Sequence, residues 1–108
     1  MPIIRLDGTV TQINVFTVES GRQQPLIDYL AGAAHVAAEV PGWLSASLHR
    51  SLDGTRVVNY AQSTDLDAAH RVIEHLVAKG MIQGNKAFGR AEPGLYEVAF
   101  TLDRELLG

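Results

Sequence analysis

Thr9 to Val18 is dense in β-branched side chains and is bounded by Glu19, Ser20 and Gly21, which predicts a strand. Ser20 with Gln23 three residues on reads as a capping box that opens a helix. From Leu26 to Val40, at 100° per residue, Leu26, Tyr29, Leu30, Ala33, Ala37 and Val40 fall in one stripe, with Asp28, His35 and Glu39 opposite. A helix with one buried side has that pattern, and Pro41 followed by Gly42 stops it.

Trp43 to Ser51 and Thr55 to Ser63 are two further strand-like runs joined through Leu52, Asp53 and Gly54. A loop ending Asp-Gly suits a two-residue type I′ turn or a three-residue turn with a left-handed glycine, and the choice sets which side chains share a face. The three-residue form sets Ser51 opposite Thr55. One face then collects Trp43, Ser45, Ser47, His49, Val57, Asn59, Ala61 and Ser63, and the other collects Leu44, Ala46, Leu48, Val58 and Tyr60. We expect this register because it separates a small, polar face from a coherently apolar one.

Thr64 with Asp67 predicts the next cap. In the helix from Asp65 to Lys79 the inward stripe is Leu66, Ala69, His70, Ile73, Leu76 and Val77, while Arg71, His75 and Lys79 point outward. Gly80 ends it, residues 81–92 read as irregular or briefly helical, and Gly94 to Leu102 predicts a last strand with Tyr96, Val98 and Phe100 on one face. The order β-α-β-β-α-β is the split βαβ, ferredoxin-like string: an α+β fold with four antiparallel strands and both helices on one face, here as one domain over residues 1–108. The second face, carrying Leu44, Leu48, Val58 and Tyr60, is too apolar to stay in water, so we expect a homodimer with two sheets packed face to face.

Composition narrows the chemistry. The 108 residues bury a modest core on their own. The absence of cysteine excludes disulfides, thiolate metal sites and thiol nucleophiles. A net charge of −3 argues against nucleic acid as a partner. There is no basic leader and no uncharged window of about 18 residues, so we expect a soluble cytoplasmic protein without membrane association. Seven aromatic residues against thirteen alanines leave many wall positions small, with room for a cavity.

Ser45, Ser47, His49, Asn59 and Ser63 would be buried if the helices cover their face, and buried polar groups need partners, either each other, water or a ligand. His70 leans toward the same space from the second helix. His70 and His75 are five residues apart, the wrong spacing for a chelating helical pair, and no carboxylate falls on an inward position. Gly80, Gly84 and Lys86 superficially suggest a phosphate loop, but the glycine spacing is wrong and the segment follows a helix. Neither a dinucleotide fingerprint nor a nucleophile elbow is present.

Pro41 to His49, Ser51 to Thr55 and Val57 to Gln62 closely resemble the antibiotic biosynthesis monooxygenase family, and above all its small Streptomyces-type enzymes that turn anthrones into quinones. The likeness runs over about residues 9–102, and the pair Ala69-His70 with His75 is similar to the family's second helix. The resemblance implies a dimeric α+β barrel with a cavity between sheet and helices, and oxidation of a small aromatic substrate by O2 with no flavin, haem or metal cofactor. By position it makes Asn59 the hydrogen-bond partner of the substrate oxygen and His49 a polar cavity partner. From its helix position we expect His70 to be the base or proton relay. Trp43, Ser45, Ser47, Ser63, Asn14 and Phe16 complete the expected substrate-binding set. Where anthrone-oxidising members usually carry a tryptophan after the Asn-Tyr-Ala-Gln run, this chain has Ser63, and a tyrosine usual early in the second helix is also replaced. The expected activity is a cofactor-independent monooxygenase acting on a polycyclic phenol, anthrone or quinol. A same-fold isomerase or cyclase, or a non-catalytic carrier of aromatic ligands, is the alternative.

Overall fold

The computed structural model describes residues 2–81 and 90–107. The elements run β1 (Val10–Thr17), α1 (Gln23–Ala37), β2 (Trp43–Arg50), β3 (Arg56–Ser63), α2 (Leu66–Ala78), β4 (Arg90–Glu97) and a short 3-10 turn (Arg104–Leu107). The strands form an antiparallel sheet in the order β2-β3-β1-β4, so the two middle strands in space are the first and third in sequence. That is the ferredoxin-like arrangement expected from the element string. Among the described residues no helix is long and apolar enough to cross a membrane.

The core lies between the sheet and α1, where Phe16, Val18, Leu26, Leu30 and Val57 are buried together and Ile27 and Leu48 pack against them. The α1 stripe is as expected, with Leu26, Leu30, Ala33 and Ala37 buried and Asp28, His35 and Glu39 exposed. Its start is not. Arg22 occupies the cap position and Ser20 caps nothing by its side chain. Gln23 instead donates Nε2 to the backbone oxygens of Ser51 at 3.1 Å and Arg56 at 2.9 Å, tying the helix start to the β2–β3 loop.

That loop decides the sheet's faces. Ser51 pairs with Arg56, not Thr55, through Ser51 N donating to the Arg56 oxygen at 3.0 Å, and the register continues as Arg50 with Val57, His49 with Val58 and Leu48 with Asn59. Four residues therefore span the turn. Asp53 organises them, accepting from Thr55 N at 3.0 Å, Thr55 Oγ1 at 2.7 Å and Ser51 Oγ at 2.8 Å. One more residue in the loop than expected sends every β2 side chain from Ser45 onward to the opposite face. Ala46 and Leu48 turn toward the helices with Asn59 and Ala61, while Ser45, Ser47 and His49 share the uncovered face with Val58, Tyr60, Ile13 and Val15.

The second helix also differs in rotation. Its cap is Asp65, whose carboxylate accepts from Ala68 N at 2.8 Å, rather than Thr64. The buried positions are Ala68, Ala69 and Val72, whereas Leu66, His70 and Val77 are exposed, about a quarter turn from the expected stripe. Gly42 explains the shift. It has φ +96°, and a Cβ built there would lie 2.6 Å from Ala68 Cβ, so only a small helix residue fits against it. His75, expected outside, is half-buried and meets Glu39 Oε1 at 2.9 Å, joining the end of α2 to the turn after α1. The last strand begins four residues earlier than expected and ends at Glu97, leaving Val98 and Phe100 beyond it. Residues 82–89, within the stretch expected to be irregular or briefly helical, lie outside the described residues.

Candidate functional site: an amide-lined cavity under the helices

Between sheet and helices lies a cavity walled by Leu30, Ala33, Ala34 and Ala37 of α1, Val72 and Leu76 of α2, and Gln12, Trp43, Ala46, Asn59 and Ala61 of the sheet. Its volume is about 30 Å³, room for one or two waters. Alanine spacing in the sequence makes this space. Ala33, Ala34 and Ala37 stand at helical intervals on α1, opposite Ala46 and Ala61 of the hairpin.

Two amides supply the polar part of this lining. Gln12 and Asn59 face it, and Asn14, the cross-strand partner of Asn59, shares their sheet face and is 9% exposed. Asn14 Oδ1 is buried with no hydrogen-bond partner. Thr11 Oγ1 and Gln62 Nε2, a cross-strand pair on the other face, are also buried without partners. An orphaned buried acceptor costs about 1–3 kcal/mol unless water or a ligand satisfies it, so an incoming hydrogen-bond donor gains at Asn14 Oδ1.

Of the residues expected at the site, Asn59 and Trp43 line the cavity, and Asn14 and Ser63 lie on the same sheet face. His49, Ser45 and Ser47 do not. The hairpin register carries them to the uncovered face, where His49 Nε2 meets Ser47 Oγ at 2.9 Å and Ser45 Oγ donates to Gln62 Oε1 at 2.9 Å. His70 is exposed on α2 and outside the lining, because the contact between Gly42 and Ala68 turns that face away from the sheet. Phe16 is 1% exposed inside the core with Leu26 and Val57 and has no free surface for a ligand. Gln12 was not among the expected residues, although its spacing of two from Asn14 on a strand was signal enough. Among the described residues no cluster of three or more His, Cys, Asp and Glu could hold a metal ion.

A second hollow, about 240 Å³, lies on the uncovered face between Pro2, Ile3 and Ile4 of the amino-terminal arm and Ser47, His49 and Tyr60. It is separate from the amides. The ionisable groups held away from their ordinary values lie at the rim of the fold. Hydrogen bonds from Thr55 and Ser51 lower the Asp53 carboxyl to about 2, and the His75 hydrogen bond lowers Glu39.

Comparison with known proteins agrees with this architecture. SnoaB, a cofactor-independent oxygenase from Streptomyces nogalater, superposes with a TM-score of 0.78 at 29% identity, covering 88% of this chain and 97% of that one. A Streptomyces coelicolor monooxygenase in complex with nanaomycin D superposes with a TM-score of 0.76 over 89% of this chain and 92% of that one, and at 24% identity it speaks for the fold alone. In sequence, the chain is 41% identical over 64 residues to tetracenomycin-F1 monooxygenase of Streptomyces glaucescens, a match that takes in 56% of this chain and spans 57% of that relative's length. With residues 9–77, more than half of its length, matching the model for that family, the chain belongs to the antibiotic biosynthesis monooxygenase family.

Proposed function

We propose that the protein is a cofactor-independent monooxygenase that oxidises a flat phenolic substrate, an anthrone or quinol, with O2. The observation that carries this reading is the cavity itself, where the Gln12 and Asn59 amides stand among walls of alanine, aliphatic side chains and one indole, while the unpartnered oxygen of Asn14, cross-strand from Asn59, can accept from a phenolic hydroxyl. The similarity to SnoaB and to tetracenomycin-F1 monooxygenase supports the reaction class.

Triplet O2 reacts slowly with closed-shell molecules, so the substrate must become the electron donor. An anthrone that loses a proton becomes an electron-rich oxyanion. Asn59 and Gln12 can each donate an amide N–H to that oxygen, and in a water-poor cavity such donors stabilise the anion far more than water does. One oxygen atom of O2 becomes the new carbonyl, and the other leaves as water with the two hydrogens of the oxidised carbon. Amides neither take up nor release protons near neutrality, so their part is binding and charge stabilisation.

A cavity of about 30 Å³ is far below the ~300 Å³ or more of a typical ligand pocket. Binding therefore requires the cavity walls to move outward; Ala33, Ala34 and Ala37 of α1 give up few contacts in doing so, whereas Leu26 and Leu30 hold the earlier turns of that helix in the core. The helix-free face, where Ile13, Val15, Val58 and Tyr60 are half-buried and Pro2, Ile3 and Ile4 of the arm lie beside Ser47, His49 and Tyr60, is completed by a second copy of the chain, giving a homodimer.

The test is oxygen uptake with a panel of anthrones and hydroquinones. Asn59→Ala should lower turnover by roughly tenfold to a thousandfold with the fold intact, the range for one polar group acting on the reacting oxygen. His70→Phe should leave it within about twofold, since its ring is outside the cavity. Saturable binding of these ligands without oxygen uptake would replace the oxygenase with a carrier or isomerase.

A further inference from the structure

Strict alternation along β2 would put Trp43 on the same face as Ser45, Ser47 and His49, away from the helices. It does not lie there. The register shifts between Trp43 and Ser45, so Leu44 has no partner on β3, and Trp43 comes to stand opposite Ser63. Ser63 belongs to the face of Asn59 and Ala61, and Trp43 accordingly lines the cavity with them. A bulge of one residue re-aims one side chain without disturbing the ladder beyond it, which is what bulges beside functional sites do. Here the re-aimed side chain is the chain's only tryptophan.

We infer that Trp43 is the stacking platform for the substrate's ring system and that Leu44 and Ser63 are the positioning residues that put it there, Leu44 as the bulge and Ser63 as the small cross-strand partner that leaves the indole room. Ser63 is 6% exposed, so a larger side chain there would compete with the indole for buried space. Trp43 and Asn59 then mark the two ends of the site. Ser63, opposite Trp43, and Asn59 are four residues apart on one strand, about 13 Å along the sheet at ~3.3 Å per residue. A ligand held by an oxygen at Asn59 and by ring stacking at Trp43 is a fused polycycle; a single phenol reaches one end only. This deepens the proposed function and rests on its assignment of the cavity to a flat aromatic.

Because Trp43 is the sole tryptophan, its emission reports on this position alone. The wild-type protein is titrated with 1,8-dihydroxyanthraquinone and, separately, with resorcinol, following fluorescence and binding heat. The tricyclic probe should quench Trp43 saturably, and resorcinol should bind at least tenfold more weakly. Trp43→Ala should weaken the tricyclic probe at least tenfold by calorimetry, Trp43→Phe by no more than about threefold, and the double variant Trp43→Ala/Ser63→Trp should recover most of the loss, because Ser63 is the cross-strand partner of Trp43 on the cavity's face of the sheet. Circular dichroism and thermal melting establish that each variant is folded. The inference is overturned if the tricyclic probe does not bind, if it binds without changing Trp43 emission, if Trp43→Ala binds it within twofold of wild type, or if the double variant folds and recovers nothing. The oxygenase reading fails separately: quenching and its loss in Trp43→Ala with no oxygen uptake on any substrate would leave the platform standing and remove the reaction.

Discussion

Asp53 touches no part of the cavity, yet the cavity's composition depends on it. Its carboxylate gathers the Thr55 amide and hydroxyl and the Ser51 hydroxyl, and Ser51 Oγ in turn accepts from Arg56 N at 2.8 Å. These bonds widen the turn to four residues and so fix which β2 side chains meet Asn59. Donors around a carboxylate favour its charged form, and Asp53 is held at about 2 against an ordinary value of 3.8. A carboxyl lowered on folding stabilises the native state fully above its unfolded value, and that contribution drains away as pH falls toward the folded one. A carbon-detected NMR titration should therefore place the Asp53 midpoint near 2, with the Thr55 and Arg56 amides losing exchange protection between about pH 4 and 2. A midpoint at the ordinary carboxylate value would mean that the loop is not held this way. The Ser-x-Asp-x-Thr spacing was visible in the sequence, but nothing local says whether those side chains will close a three-residue or a four-residue loop.

At the scale of elements, helix and strand positions followed from periodicity, because a period of 3.6 or 2 is a property of the chain itself. Rotation and face did not. For α2 the larger apolar residues Leu66, Ile73 and Val77 favour one stripe, while the structure buries Ala68 and Val72 beside the expected Ala69. Ala68 stands so near Gly42 that a side chain on the glycine would not fit, and such an approach is decided by residue size across the gap rather than by hydrophobicity. Replacing Gly42 by Ala forces a side chain into left-handed backbone and against Ala68 Cβ at 2.6 Å. Strain and overpacking together should cost about 2–4 kcal/mol. Urea unfolding reads this directly, and a loss below about 0.5 kcal/mol would show that Gly42 does not set the helix rotation.

For the whole molecule, the chain exposes 7077 Å², against about 5,900 Å² for an ordinary monomer of 11.7 kDa. Ile3, Ile4 and Leu6 of the amino-terminal arm and Phe100 and Leu102 near the other end contribute exposed apolar surface, and the sheet has one face without helices. Sedimentation equilibrium should accordingly give a dimer. Val58→Asp, which sets a charge in the middle of that face, should raise the dimer's dissociation constant by about two to three orders of magnitude, since an unpaired buried charge costs several kcal/mol. A wild-type monomer at high micromolar concentration would put the uncovered face to another use. The element order, the ferredoxin-like topology, the family resemblance, the small alanine walls and the placement of Asn59 under the helices were legible along the chain, because they rest on local periodicity, residue size and a continuous motif. Tertiary contacts were needed to show that His49 and His70 leave the cavity, that Gln12 joins it, and that Trp43 keeps its expected place there through a bulge. Those outcomes turn on a hairpin register, a one-residue bulge and a helix rotation, each set by contacts between residues distant in the chain.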